Sequence, residues 1–145
     1  MNVAFQMDDL SKLNFTTDST IELILESQQR DNINYIYSPE DLFIENNQVY
    51  AKACKVTFKS KDITNYKCAT KNKIKLSDMK MIFIRQDPPY DMAYITSLHI
   101  LELLDQKKTR IINNPQGIRN SPEKVLIFDF PKLMPPTIVT RSKDH

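Results

Sequence analysis

The sequence predicts an α/β domain, a Rossmann-like, mostly parallel sheet with flanking helices and a β-hairpin, and three observations carry that prediction. The chain opens on an apolar strand, Asn2 to Gln6, followed by a loop and a helix with its own start signal. Met79 to Arg85 (MKMIFIR) is a second apolar run, too short for a helix, of the kind found in a parallel strand covered on both faces. Strand and helix signals then alternate in the order β, α, β, hairpin, β, α, β, α.

Each element has a local reason. The loop over residues 7–17 contains no glycine. Ser19-Thr20-Ile21-Glu22 reads as a capping box, and Ile21, Ile24 and Leu25 fall at i, i+3 and i+4, so a helix starts at Ser19. Ile33 to Tyr37 is a second strand, closed by Ser38-Pro39, with a brief turn over 40–42. Leu42–Glu45 and Gln48–Phe58 form a hairpin across Asn46-Asn47, because Asn tolerates positive φ better than other residues with a side chain. Asp91 caps a long helix predicted to reach Gln106. Thr96, His99, Glu102 and Gln106 share its polar stripe, and Tyr94, Ile95, Leu98, Leu101 and Leu104 cover the other side. That placement makes His99 a solvated residue rather than a ligand or a catalytic group. Arg110 to Asn113 is a strand, and Ser121-Pro122 starts a short helix with Ser as N-cap and Pro at its first position. Residues 131–136 are a connector, and Thr137 to Thr140 a terminal strand.

Composition narrows the function. The 145 residues include a single glycine, Gly117, where average usage of about 7% would supply roughly ten. Phosphate loops and dinucleotide turns need several glycines, since backbone amides must approach the phosphates without a Cβ in the way. None can be assembled here. The 15 Lys, 16 Ile and 11 Asn point to an AT-rich genome that exchanges tolerated loop glycines for Asn and Lys. The length suits one core, so residues 1–145 are expected to form one domain. With 41% hydrophobic and 26% charged residues the chain reads as globular. Its strongly apolar runs, Met81–Ile84 and Val125–Phe128, are far below the ~20 residues that span a bilayer. The N-terminus lacks a basic region and meets Asp8 and Asp9 at once, unlike a signal peptide, so a cytoplasmic location is expected. Cys54 and Cys68 match no zinc spacing and read as two free thiols, with a regulatory disulfide as the alternative.

In such a sheet, ligands gather at the carboxyl ends of the strands near the switch point. That rule selects three loops, 7–18, 85–91 and 113–124. Arg85-Gln86-Asp87-Pro88-Pro89-Tyr90-Asp91 is the most specific string: an arginine at a strand end offers a planar fork to a carboxylate or phosphate, and two prolines fix the backbone beside it. The plainer reading is an Arg85–Asp87 ion pair trimming the strand end. Asp18 and Ser19 lie at a helix start, which attracts anions but is often filled by its own cap. Arg119 and Lys124 offer positive charge near another helix start. Residues 52–80 hold nine lysines against Asp62 and Asp78, a net of +7, with Tyr50, Phe58 and Tyr66 interleaved. That could be a nucleic-acid surface, but it contains no arginine, and lysines that discourage edge pairing explain it more cheaply.

These strings resemble the N-terminal domain of the bacterial-type glutathione synthetase, a family of ATP-grasp ligases. The resemblance runs through Met1–Asp8 (MNVAFQMD), Asp18-Ser19-Thr20 with the helix to Gln28-Gln29-Arg30, the RQDPPYD string from Arg85 to Asp91, and Asn113 through Pro115 to Ile118-Arg119 and Glu123-Lys124. It continues through Leu133-Met134-Pro135-Pro136-Thr137 to Thr140-Arg141. It implies a Rossmann-like pre-ATP-grasp domain from an enzyme that joins γ-glutamylcysteine to glycine with ATP and Mg²⁺, through an acyl phosphate that the glycine amine attacks. It places Asp18, Ser19, Arg85 and Asp87 toward the dipeptide and gives Lys124 a contact with the nucleotide phosphates. It also implies that the chain stops, at Arg141 to His145, where members enter their ATP-grasp domain. That domain would carry the glycine-rich lid, a second phosphate-binding lysine and the acidic Mg²⁺ ligands. On this reading the 145 residues alone fold without catalysing, hold no metal ligands, lack a membrane partner, and come from a homo-oligomeric parent. The competing reading is a stand-alone binding module, for a small anion or, through residues 52–80, for nucleic acid.

Overall fold

The computed structural model describes residues 1–15, 17–59, 66–122 and 124–144. Its strands are β1 (Asn2–Met7), β2 (Ile33–Tyr37), β3 (Leu42–Glu45), β4 (Gln48–Phe58), β5 (Tyr66–Cys68), β6 (Asn72–Lys75), β7 (Met81–Arg85) and β8 (Arg110–Ile112). The helices are α1 (Ser19–Gln29), α2 (Met92–Glu102) and α3 (Pro115–Asn120). The sheet order is β3-β4-β2-β1-β7-β8, with β5 and β6 also paired to β4. Strands β2, β1, β7 and β8 run parallel. Antiparallel β4 extends the sheet beyond β2 and carries the hairpin.

Side-chain alternation along β1 divides the core. Val3, Phe5 and Met7 face α1 and pack with Ile21, Ile24, Ile36, Val56 and Phe58. Ala4 faces α2 and packs with Ile82, Ile84, Leu98, Leu101 and Ile111. Phe5 stacks on Phe83 at 5.0 Å between ring centroids. Asn46 and Asn47 both adopt positive φ, at 49° and 58°, as the glycine-free hairpin turn requires. Asp31, at φ 56°, does the same after α1, where a glycine is more usual.

Several expectations are corrected. The cap of α1 is Asp18, whose carboxylate accepts from the amides of Thr20 at 2.6 Å and Ile21 at 3.4 Å. Ser19 is therefore the first helical residue, and its hydroxyl is used elsewhere. Helix α2 stops at Glu102, short of Gln106, because the amides of Leu103 and Leu104 turn back to the carbonyls of Ile100 and Leu101. Asp105 then opens a turn, accepting from Lys107 through its side chain and from Lys108 and Thr109 through its carbonyl.

The cap-plus-proline signature operates one step earlier than predicted. Asn114 caps α3 by accepting from the Gly117 amide at 2.8 Å, with Pro115 at the first position. Among the described residues after Ser121-Pro122 there are a turn and 3-10 turns at Leu126–Asp129 and Pro131–Leu133, and no α-helix. Thr137 to Thr140 forms no strand; Ile138 and Val139 are 66% and 52% exposed, with no layer to pack on. Cys54 and Cys68 are bonded as a disulfide, against the expectation of free thiols. Val56 faces Cys68 in the β4–β5 ladder, which puts Cys54 on the diagonal with Cα atoms 5.8 Å apart, within disulfide reach. Among the described residues no helix is long and apolar enough to cross a membrane.

Candidate functional site at the carboxyl ends of β1 and β7

The strand order reverses at β1: the chain first places β2 on one side and later β7 on the other. Crevices at such reversals are where α/β sheets collect ligands. Met7 is in register with Arg85, so the two loops that leave β1 and β7 run side by side.

Arg85 turns toward α1. Its Nη2 donates to Ser19 Oγ at 2.7 Å and its Nε to Thr20 Oγ1 at 3.2 Å. Moving the cap to Asp18 is what makes this possible, since Ser19 has no amide to cap. Asp87, two residues on, turns the other way: its amide donates to Asp8 Oδ2 at 2.7 Å. Arg85 and Asp87 make no ion pair with each other, which decides against the plainer reading of this string. Between them the Gln86 side chain is drawn inward. Its Oε1 accepts from Gln6 Nε2, which also donates to Ser97 Oγ at 3.2 Å. Gln6 is fully buried, and its Oε1 has no hydrogen-bond partner among the described residues.

Two hollows result. One, of about 540 Å³, is bounded by the carboxylates of Asp8, Asp9, Glu40, Asp41, Asp87 and Asp91 against only Lys12 and Lys71. It is an acidic cleft and suits a cationic group. Lys71 Nζ lies 2.6 Å from Asp41 Oδ2. Burial opposes ionisation of Asp41, but hydrogen bonds from Lys71 and from the Ser38 amide and hydroxyl outweigh it and hold its pKa below the ordinary carboxylate value. The Ser11 hydroxyl and amide similarly lower Asp9. Tyr94, on the α2 wall, is shifted up by burial and by the charges of Asp8 and Asp87. The second hollow, about 740 Å³ and open, lies over α1 and is bounded by Ser19, Glu26, Gln29, Lys59 and Arg85.

Of the residues singled out from sequence, Asp18, Ser19 and Arg85 come together and Asp87 lies around the strand end. Lys124 does not join them. It is exposed in the turn after α3 and borders neither hollow. Its neighbour Arg119 is held against α2, with Nη1 2.9 Å from His99 Nδ1 and 3.3 Å from Glu102 Oε2. His99 is exposed, as its stripe predicted. The sequence reading missed Gln6, Asp8, Thr20, Lys71, Gln86 and Tyr94. A glutamine inside an otherwise apolar strand was the available signal for Gln6, whereas Lys71 reaches the cleft only through the β4–β6 pairing.

The lysine-rich segment offers little for base stacking. Phe58 and Tyr66 pack on one another at 5.6 Å and on Phe15, and Tyr50 lies against Phe43 with the Lys73 ammonium 4.3 Å above its ring. Lys61 and Asp62 lie outside the described residues.

Residues 1–119 match the family described as prokaryotic glutathione synthetase, N-terminal domain. A glutathione synthetase of Rhodopseudomonas palustris is 36% identical over 145 residues, covering all of this chain and 46% of the relative. One of Agrobacterium fabrum is 40% identical over 140 residues, covering 97% of this chain and 44% of the relative. One of Yersinia pestis is 32% identical over 139 residues, again covering 44% of the relative. The chain thus spans less than half the length of these relatives. With its α/β sheet and the two strand-end loops inside the matched span, it belongs to the prokaryotic glutathione synthetase N-terminal domain family.

Proposed function

We propose that this chain is the substrate-side domain of an ATP-dependent ligase that joins γ-glutamylcysteine to glycine, and that the edge formed by β1 and β7 holds the dipeptide. The observation that carries this reading is the opposed setting of Arg85 and Asp87, within the span of the family match. The dipeptide bears one ammonium and two carboxylates. Arg85, anchored by two hydroxyls, keeps further N–H donors for a carboxylate. The acidic cleft, with Asp8 and Asp87 on its rim, suits the ammonium. Asp18 and Ser19 contribute by setting the start of α1 and the pose of Arg85. The chain's part is orientation and charge matching at fixed points, which can supply a large share of a ligation barrier.

The residues present do not by themselves fit ATP and Mg²⁺. Among the described residues no three His, Cys, Asp or Glu are placed to hold a metal ion, and six carboxylates around the cleft oppose a triphosphate. We assign the nucleotide, its metal and glycine activation to the portion of the relatives that this chain does not span. Lys124 is the contact that this chain would extend toward the phosphates. The exposed apolar residues Val125, Phe128, Phe130 and Leu133 would lie against that portion, in a cytoplasmic homo-oligomer.

The test has two arms. Titrating the chain with γ-glutamylcysteine should move the amide resonances of Asp8, Ser19, Arg85 and Asp87, and Arg85→Ala should weaken the response tenfold or more. A protein joining residues 1–145 to the rest of the Rhodopseudomonas relative should make glutathione from γ-glutamylcysteine, glycine and ATP, and the chain alone should not. Turnover by the chain alone, or shifts confined to other surfaces, overturns the proposal.

A further inference from the structure

We propose that Cys54 and Cys68 form a thiol–disulfide exchange site, worked by small-molecule thiols and disulfides, that fastens the wall of the acidic cleft. The inference rests on the geometry of the pair and stands apart from the ligase reading.

The two sulfurs are unequally placed. Cys54 lies on β4 and is 1% exposed, while Cys68 is exposed on β5. A reagent from solution therefore meets Cys68 first. Outside, Cys68 shares a shallow hollow with Lys55 and Lys67; inside, the pair borders a half-open cavity of about 160 Å³ together with Asp8, Asp9 and Lys71. The outer hollow, with two lysines beside an exposed sulfur, is the cationic setting in which thiols exchange. Lys55 and Lys67, which the ligase reading does not use, acquire a role here. The two lysines of the outer hollow suit a low-molecular-weight disulfide that carries carboxylates, and such a disulfide is the co-reactant.

The electron count closes in two displacements. The Cys68 thiolate attacks one sulfur of the small disulfide RSSR, forming a Cys68–SR mixed disulfide and releasing RS⁻. The Cys54 thiolate then attacks the Cys68 sulfur, forming Cys54–Cys68 and releasing a second RS⁻. The two thiols of the chain are oxidised by two electrons, RSSR is reduced to two RSH, and the two cysteine protons end on the released thiols. Reduction runs the same steps backward.

The bond has something to fasten. β5 is only three residues long, and the inner cavity shares Asp8, Asp9, Ser38 and Lys71 with the acidic cleft. Pinning β5 to β4 thus holds the segment that delivers Lys71 to Asp41.

The test treats the fully reduced chain with glutathione disulfide and follows intact mass and peptide maps. Wild type should end as the intramolecular disulfide, and Cys54→Ala should stop at a glutathione adduct on Cys68. Cys68→Ala should react at least tenfold more slowly. Pulse alkylation of reduced wild type, which needs no variant to fold, should label Cys68 before Cys54. Lys55→Gln with Lys67→Gln should slow that labelling several-fold. Amide exchange over residues 66–71 should be at least tenfold faster in the reduced chain than in the oxidised chain. Equal reactivity of the two cysteines, a stable adduct on wild type, or unchanged exchange over 66–71 would overturn the proposal.

Discussion

Arg85 donates to Ser19 Oγ at 2.7 Å across 66 positions of sequence, and this bond ties the end of β7 to the first turn of α1. It depends on a displacement by one residue. Were Ser19 the cap, its hydroxyl would face the amides of the first turn; with Asp18 capping, that hydroxyl is released to the arginine. The loops of β1 and β7 are thereby joined by side chains as well as by the parallel ladder. The same strand end sends Asp87 to Asp8 on the opposite side.

Arg85→Ala should leave the fold intact and weaken binding of γ-glutamylcysteine by tenfold or more, the size of about 1.5–3 kcal/mol for hydrogen bonds to a charged group. Arg85→Lys should recover little, because an ammonium cannot span Ser19 and Thr20 and still present a planar fork. The check is a calorimetric titration beside an amide spectrum of each variant. Full affinity in Arg85→Lys would mean that only charge matters at this position.

Buried Gln6 and half-buried Gln86 make a sharper demand. Gln6→Met leaves Gln86 Oε1 only the 3.4 Å bond from Ser97 Oγ and should cost about 1 kcal/mol in urea unfolding. Gln6→Met combined with Gln86→Met removes both partners and should cost less than Gln6→Met alone. A double variant as destabilised as the sum of the singles would show that the pair does not act as a unit.

The fold was legible where period and turn chemistry agree. Val3, Phe5 and Met7 alternate with Ala4, Ile21 and Ile24 recur at helical spacing, and Asn46-Asn47 stands where two positive φ values are needed. Legibility failed where two equivalent local signals competed. Asp18 and Ser19 are both good caps, and Asn114-Pro115 and Ser121-Pro122 carry the same start signature; only packing of α3 on α2 selects the first. For the site, the RQDPPYD string located the loop, but not that Arg85 and Asp87 diverge. Cys68 enters through its pairing with Val56, and Lys71 through the β4–β6 ladder and a bond to Asp41 across 30 positions, which no local pattern encodes.

The lone glycine gives a prediction of opposite sign. Gly117 is helical, with no positive φ, and a Cβ there would meet only the Asn114 side chain, at 3.6 Å. Its backbone needs nothing that alanine lacks. Gly117→Ala should therefore stabilise the chain by roughly 0.4–1 kcal/mol, read as a rise in the thermal midpoint. A loss of stability would show that α3 tolerates no side chain at its third position.

The Asp41–Lys71 pair sets a pH dependence whose sign follows from its direction. The folded pKa of Asp41 is depressed, so its contribution to stability is present above the unfolded value of about 3.9 and is lost as pH falls through the folded value. Lys71→Gln removes the ammonium that opposes burial and leaves the burial in place. The pKa of Asp41 should then rise, and the acid limb of the stability curve should move to higher pH. At neutral pH the cost should stay near 1 kcal/mol or below, because Lys71 is 51% exposed. A carboxyl-detected titration of Asp41, beside thermal midpoints measured from neutral to acid pH, checks both parts. An unmoved Asp41 titration would show that the Ser38 hydrogen bonds alone hold the carboxylate, and would remove Lys71 from the electrostatics of the cleft.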